Sequence, residues 1–276
     1  MPKKSSKNYC RICKEKKLSS LYQSGGYKIL KCLNCGFGVL DPEPKINQLH
    51  NIYQEGYHDY LTDEDFKADA QKKLRFVKQF MTQDTSLLDF GCGLGHFLAL
   101  AEPFCKTVIG FDISRLAAKK AKEKYNLFVK TGTASKKSFP KNSFEIITSF
   151  DVIEHIPDFK KTLNNFYHWL KPGGYLFMTT PSLNSWDARL LGKKWYGFTR
   201  IPDHVIYFTP GSIKRTLKDT GYKVKKITTW GFVRRLEYLV GQYEKLSSLQ
   251  FLLKKLNLGK IKIYLPMTDM MVVAYK

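Results

Sequence analysis

The segment SLLDFGCGLGHFLALAEPF, residues 86–104, constrains the fold more than any other stretch of the 276-residue chain. Leu87, Leu88 and Phe90 read as a buried parallel strand, Gly91 to Gly95 as a tight turn, and His96 onward as a helix. A backbone that turns this sharply and approaches a ligand closely has no room for Cβ atoms, which is why the turn is glycine-rich. A strand, glycine turn and helix in this order belong to an open α/β sheet that binds a nucleotide-like ligand at the carboxyl edge of its strands.

By itself such a loop serves NAD, FAD or S-adenosylmethionine. The dinucleotide fingerprint is GxGxxG and cradles a pyrophosphate, whereas the spacing here is GxGxG, with Asp89 two residues before the first glycine. An acid at that place suits a ligand without phosphate that carries a cationic sulfonium and an amino-acid moiety. The segment TVIGFDIS then reads as a second strand ending in Asp112, a residue able to accept hydrogen bonds from both hydroxyls of a ribose.

In the order of its motifs the chain resembles the class I S-adenosylmethionine-dependent methyltransferases, from about Leu87 to the C-terminus. LLDFGCGLG is similar to their first motif and GFDIS to their second. SFPKNSFEIITSFDVIEHIPD corresponds to the acidic loop and fourth strand, and LKPGGYLFMTTP to the entry into the fifth. The resemblance implies a doubly wound α/β fold with a seven-stranded Rossmann-like sheet over residues 86–276. It also implies S-adenosylmethionine as cofactor, with Asp89, Gly91 and Gly93 around the methionine part, Asp112 at the ribose, and Cys92 and Ile113 among the cofactor-binding residues. Phe150 and Asp151 would lie beside the bound cofactor. The adenine-proximal position, an acid followed by a small residue in the family, is occupied by Gly132, Thr133 and Ala134, so Thr133 and Ala134 complete the implied set.

Two CxxC pairs, Cys10/Cys13 and Cys32/Cys35, are separated by eighteen residues. Each pair forms a knuckle, and four thiolates close a tetrahedron around one Zn²⁺ with no position left for water, so the metal is expected to be structural. Between them YQSGGYKILKC reads as a hairpin turning at Gly25-Gly26. This is the layout of a zinc ribbon over residues 1–44. The two prolines of GVLDPEP mark a junction, followed by a linker and N-terminal helical segment over residues 45–85, with helical spacing from about Phe66. The ribbon, the D-P-x-P segment and the Tyr-rich stretch after it are similar to a bacterial subgroup of ribbon-bearing methyltransferases associated with sugar and cell-surface glycan pathways.

Methyl transfer to a hydroxyl requires an aligned nucleophile and a route for its proton. His155, just after the expected fourth strand, and His204 in PDHVIYFTP are the candidate catalytic bases, and the residues leave open which of them acts. Trp186, Trp195, Tyr196, Tyr207 and Phe208 crowd the sequence around His204 and suggest an aromatic-lined pocket for a sugar or aromatic acceptor.

The formal net charge of +22 is concentrated at the two ends: residues 1–35 hold nine Lys/Arg against one acid, and residues 212–262 thirteen against three. Such patches attract phosphate, which points to an anionic small-molecule or glycan acceptor, with RNA as an alternative target and an anionic membrane surface as a peripheral contact. The fold is expected to finish with the strand pair YKVKKITTW and TDMMVVAYK. The long connection between them, about residues 231–262, reads as a basic amphipathic helical insertion carrying Leu236, Leu239, Val240, Tyr243 and Leu246. No run approaches the 18 apolar residues of a spanning helix, and the basic N-terminus lacks the apolar stretch of a secretory signal, so the expected compartment is the cytoplasm or the inner face of its membrane. Three functions compete: a small-molecule or glycan O-methyltransferase, an RNA methyltransferase, and a protein that binds S-adenosylmethionine without catalysis. An intact set of Asp89, Gly91, Gly93 and Asp112 argues against the last.

Overall fold

In the computed structural model of the chain, residues 9–45, 48–49, 63–236, 240, 251–253, 255–256 and 258–276 are described. Two sheets organise them. The N-terminal sheet begins with β1 (Leu18–Ser24), β2 (Tyr27–Cys32) and β3 (Gly38–Asp41), all antiparallel. The β1–β2 turn runs through Gly25 and Gly26 at φ +54° and +82°, the positive region that the pair of glycines was expected to supply.

The main sheet contains β4 (Ser86–Phe90), β5 (Thr107–Asp112), β6 (Val129–Thr131), β7 (Phe144–Phe150), β8 (Leu170–Pro181), β10 (Lys223–Arg235) and β11 (Lys262–Tyr275). Its strand order is β6-β5-β4-β7-β8-β11-β10. The first five of these strands are parallel to one another, and β11 is antiparallel to both β8 and β10. This is the seven-stranded, doubly wound arrangement that the motif order implied. The order reverses between β4 and β7, and open parallel sheets bind ligands at such a switch point. Leu87, Leu88, Ile146, Ile147, Phe177 and Met178 of the central strands are buried on both faces, as strands covered by helices on either side must be.

The helices are α1 (Asp63–Val77), α2 (His96–Ala101), α3 (Arg115–Tyr125), α4 (Phe159–Trp169), α5 (Trp186–Leu191), α6 (Tyr196–Thr199) and α7 (Pro210–Thr220). Their ends follow local chemistry. Three acids, Asp63, Glu64 and Asp65, occupy the first turn of α1, where the helix dipole favours negative charge. Ser114 caps α3 by accepting from Ala117 N at 3.2 Å, and Asn126 ends it in the left-handed region. Thr209 and Ser212 form a reciprocal capping box on α7, with Pro210 at the first helical position and Gly221 closing the helix.

A short strand, β9 (Ile206–Tyr207), leaves the second half of the chain and joins the N-terminal sheet as its fourth strand, pairing with β3. Thus the ribbon is not an appendage on a linker. Phe37 packs between Phe159 and Phe208, at ring separations of 5.3 and 5.4 Å, within the same core as the main sheet.

The final strand pair is longer than the sequence pattern indicated. β10 continues past Trp230 to Arg235 and β11 begins at Lys262, so part of the expected insertion is paired sheet. Leu236, Val240 and residues 251–253 are helical, whereas Leu239, Tyr243 and Leu246 lie outside the described residues. Among the described residues no helix is long and apolar enough to cross a membrane.

Candidate active site

The glycine turn after β4 is shaped by its neighbours. Gly91 adopts φ +77°, and a Cβ there would lie 2.2 Å from Val152 Cγ2, so only glycine fits. The backbone amides of Gly91 and Cys92 are spent on the Phe111 carbonyl, at 2.7 and 3.2 Å, which locks the turn to the end of β5. Asp112 then accepts from Gly93 N at 2.8 Å and from Ser114 N at 2.8 Å, fixing both carboxylate oxygens beside the turn. Burial raises the Asp112 carboxyl, against the lowering effect of these amide bonds.

Asp89, one strand end away, is 3% exposed and accepts from Thr148 Oγ1 at 2.7 Å. Burial pushes its carboxyl up to about 7; Thr148 and Lys73 only partly offset this. Asp151, after β7, sits at φ +58° and carries two partners: Lys73 Nζ at 2.8 Å and Thr179 Oγ1 at 2.7 Å. Burial opposes its ionisation, but the Lys73 ammonium wins and holds the Asp151 carboxyl below the usual range.

These groups open into a cavity of about 200 Å³. Its walls include Asp89, Gly91, Cys92, Gly93, Phe150, Asp151, His155 and His204, so the structure brings together eight of the residues singled out from sequence. Asp112, Ile113, Thr133 and Ala134 are not in its wall: Asp112 reaches it through Gly93, Thr133 is exposed, and Ala134 packs against the core.

The same cavity is lined by a cluster that unites two distant motifs. His155 and His204 lie with ring centroids 4.8 Å apart at 62°. His155 Nδ1 is 3.0 Å from Asp203 Oδ1 and 3.1 Å from the Asp203 carbonyl, while Nε2 is 4.0 Å from Glu154 Oε1. Burial pulls His155 down, but the Asp203 carboxylate beside it prevails and raises it to about 9. His204 lacks such a carboxylate partner at its ring, and burial, aided by the neighbouring His155, drives it down to about 3. Burial pushes Glu154 up to about 7 against the pull of His155. Electrostatically the two histidines are therefore opposites, one held cationic and one held neutral at physiological pH.

Neither Glu154 nor Asp203 is among the residues selected as catalytic from the sequence, although each directly adjoins a selected histidine. Sequence reasoning missed the far wall altogether. Asp69 and Lys73 arrive from α1, Phe232 and Arg234 from β10, and Asp269 from β11. No local spacing signals these positions, because the closure of α1 and the last strand pair over the sheet edge creates them.

The aromatic pocket expected around His204 is corrected by the structure. Only Tyr196 of the five aromatics lines the cavity. Trp195 is fully buried and donates to Asp187 Oδ2 at 2.9 Å, Tyr207 and Phe208 belong to the core, and Trp186 is exposed. Trp195, Tyr207 and Phe208 hold the segment in place from within the core.

In the ribbon the four cysteines converge. Cys10 and Cys35 sulfurs are 3.5 Å apart and those of Cys13 and Cys32 3.4 Å, and all four lie within 4.8 Å of one another. A tetrahedron with metal–sulfur bonds of about 2.3 Å has sulfur–sulfur edges of roughly 3.8 Å, so the donor set fits a single zinc ion. Cys92, in the glycine turn, and Cys105 stand apart from this group.

Comparison with known proteins agrees with this architecture. Among solved structures, an S-adenosylmethionine-dependent methyltransferase from Archaeoglobus fulgidus superposes with a TM-score of 0.55 at 22% identity, covering 84% of this chain and all of that one. A chain from the Haloferax volcanii complex of the Trm112 methyltransferase activator with a methyltransferase gives a TM-score of 0.56 at 14% identity, over 83% of this chain and 97% of that one. At these identities the likeness concerns the fold. Phosphoethanolamine N-methyltransferase 3 of Arabidopsis thaliana is 37% identical over 118 residues, 39% of this chain and only 24% of the relative. The ubiquinone biosynthesis O-methyltransferase of Coxiella burnetii is 28% identical over 168 residues, 56% of this chain and 71% of the relative. The chain thus spans about a quarter of the length of the plant relative it matches. The family model described as a methyltransferase domain matches residues 60–227, well over half of the sequence and all of the glycine turn, β7 and the histidine cluster, and the chain belongs to that methyltransferase-domain family.

Proposed function

We propose that the chain transfers the methyl group of S-adenosylmethionine to a hydroxyl of a small molecule or a sugar unit. The observation that carries this reading is that the glycine turn, Asp89 and the cluster of Glu154, His155 and His204 line one shared cavity. Cofactor and acceptor sites must share such a space, because in-line displacement needs the nucleophile, the methyl carbon and the sulfonium sulfur on one axis. Asp89 and Asp151 supply negative charge beside the position of the cofactor's cationic groups, and Asp112 is oriented toward a ribose by the amide bonds of Gly93 and Ser114.

The cavity wall also bears on the acceptor. Five carboxyl groups, of Asp69, Asp89, Asp151, Glu154 and Asp269, line it against the cations of Lys73 and Arg234. Asp151 pairs with Lys73, and Asp69 with Arg234. That balance favours a neutral, donor-rich acceptor such as a polyhydroxylated ring over the anionic one suggested by the net charge. The relatives' names, one an O-methyltransferase and one an N-methyltransferase, both describe small acceptors. The ribbon cysteines Cys10, Cys13, Cys32 and Cys35 hold a structural zinc in this reading.

The test is incubation with methyl-labelled S-adenosylmethionine and two acceptor pools, total RNA and an extract of lipids and nucleotide-linked sugars. Label in the second pool, released as a methyl ether, is the expected result. Label confined to RNA and falling steeply with salt would overturn the small-molecule reading, since phosphate-driven binding has that salt dependence.

A further inference from the structure

We propose that Glu154, His155 and His204 form a binding site for one divalent transition-metal ion, separate from the four-cysteine site and facing the acceptor side of the cavity. Among the described residues these are the one group besides the ribbon cysteines whose carboxylate and imidazole ligand atoms all lie within 4.8 Å of one another.

The first argument is polar satisfaction. Glu154 and His204 are each 2% exposed, and Glu154 Oε2 and His204 Nδ1 make no hydrogen bond. A buried carboxylate oxygen or ring nitrogen left in this state carries an uncompensated desolvation penalty, larger for a charged group. One cation between them removes both penalties.

The second argument is the orientation of the ligands. The carboxylate and carbonyl of Asp203 both hold His155 Nδ1, which directs Nε2 toward Glu154. A carboxylate bonded to the distal nitrogen of an imidazole is the usual outer partner of a metal-bound histidine, where it fixes the ring and strengthens it as a ligand. The His204 ring is engaged by the backbone of Gly197. His204 Nδ1, buried and without a hydrogen bond, is the ring atom left to take the ion. Binding of the ion displaces the proton that Asp203 otherwise favours on His155, so that Nδ1–H stays on Asp203 while Nε2 becomes the ligand atom.

The third argument is the chemistry of the set. Two imidazoles and one carboxylate suit Mn²⁺, Fe²⁺, Co²⁺ or Zn²⁺, and are poor in the hard oxygen ligands that Mg²⁺ and Ca²⁺ prefer. Three protein ligands leave positions for solvent or for an acceptor oxygen, the pattern of a working rather than a structural site.

The consequence for transfer rests on the reading of the preceding subsection; the ion site itself does not. An acceptor hydroxyl on the ion is acidified, as metal-bound water is, and loses its proton to solvent. Its oxygen then forms the bond to the methyl carbon as the carbon–sulfur bond breaks, and the bonding pair stays on sulfur, leaving S-adenosylhomocysteine. In this arrangement neither histidine acts as the base.

The experiment is a Mn²⁺ titration of the zinc-loaded chain, without acceptor or cofactor, followed by electron paramagnetic resonance of the unbound ion. The expected result is one Mn²⁺ per wild-type chain, with at least tenfold weaker binding in Glu154→Gln and in His204→Gln. Calorimetric affinity for S-adenosylmethionine within about threefold of wild type verifies that each variant is folded. No Mn²⁺ bound by the wild type, with Co²⁺ and Zn²⁺ also failing to bind beyond the ribbon ion, would overturn the site. So would Mn²⁺ binding unchanged in both variants. Either failure leaves the labelled-methyl assay standing as an independent test of transfer.

Discussion

The amide of Leu40 donates to the carbonyl of Val205 at 2.9 Å, and the amide of Val205 in turn donates to the carbonyl of Glu154 at 2.9 Å. One residue thus ties the third strand of the ribbon to the loop that follows β7. Val205 is flanked by His204 and by β9, and Thr209 Oγ1 reaches back to the Cys35 carbonyl at 3.2 Å. The ribbon is the template against which Asp203 and His204 are laid down.

Loss of the ribbon should accordingly damage the acceptor side and spare the cofactor side. Cys32→Ser, which removes one of the four sulfurs, is expected to lower kcat by about tenfold or more, since small displacements of positioned groups cost up to ~10²-fold. Calorimetric affinity for S-adenosylmethionine should stay within about threefold, because the glycine turn is locked to the end of β5 through the Phe111 carbonyl and Asp112, away from the ribbon's bonds. Equal losses in both quantities would contradict this division.

Cofactor binding should depend on pH through Asp89. Its carboxyl in the free protein sits at about 7, raised by burial, and a cationic ligand favours the ionised form. Below pH 7 binding must expel a proton, so affinity is expected to fall by up to about tenfold per unit, and to level off above pH 7. Calorimetry at pH 6 in two buffers of different ionisation enthalpy would register the released proton. For the apoprotein the sign is opposite. The folded carboxyl keeps its proton to about 7 and the unfolded one releases it near 4, so this group's contribution declines as pH rises between those values and is constant above.

Gly91→Ala should abolish cofactor binding. The added methyl meets Val152 Cγ2 at 2.2 Å in a backbone already at φ +77°, so either the turn or the Val152 loop must move. Strain of this kind costs roughly 1–3 kcal/mol. Thermal unfolding should show a drop of several degrees together with the loss of the calorimetric signal. Gly132→Ala provides the contrast: nothing lies within 4 Å of a Cβ there, so only its φ of +127° is strained.

Asp112→Ala should weaken S-adenosylmethionine at least tenfold. Removing the carboxylate frees the amides of Gly93 and Ser114, loosens the turn and deletes the acceptor of the ribose hydroxyls. Far-UV circular dichroism would verify that the fold survives, and an unchanged dissociation constant would contradict the cofactor assignment.

The buried network at Asp187 holds a surface segment to the sheet. Asp187 accepts from Trp195 Nε1, from Thr268 N at 2.8 Å and from the Thr268 hydroxyl, linking α5 to β11. Asp187→Ala leaves the two donors of Thr268 and the indole without partners and should destabilise the chain by about 2–4 kcal/mol in denaturant unfolding.

What the sequence determined by itself was whatever short-range pattern encodes. The glycine turn with Asp89, the paired cysteines and the Gly25-Gly26 hairpin all depend on residues a few positions apart, where sterics and periodicity act directly, whereas the seven-stranded sheet was implied by the resemblance of successive motifs to a known family. Even the two histidines stood out, because each lies in a loop that a parallel sheet presents at its carboxyl edge. Tertiary structure decided everything that required distant segments to meet. It set His155 against His204, gave the first an acid partner and denied one to the second, and so drove them toward opposite charge states. It consigned Trp195, Tyr207 and Phe208 to the core, since aromatic density in sequence does not specify which way a ring faces. It brought Lys73 from α1 and Asp269 from β11 into the cavity wall, and it wove β9 into the ribbon. Burial and charge pairing are properties of the assembled fold, and no spacing along the chain can express them.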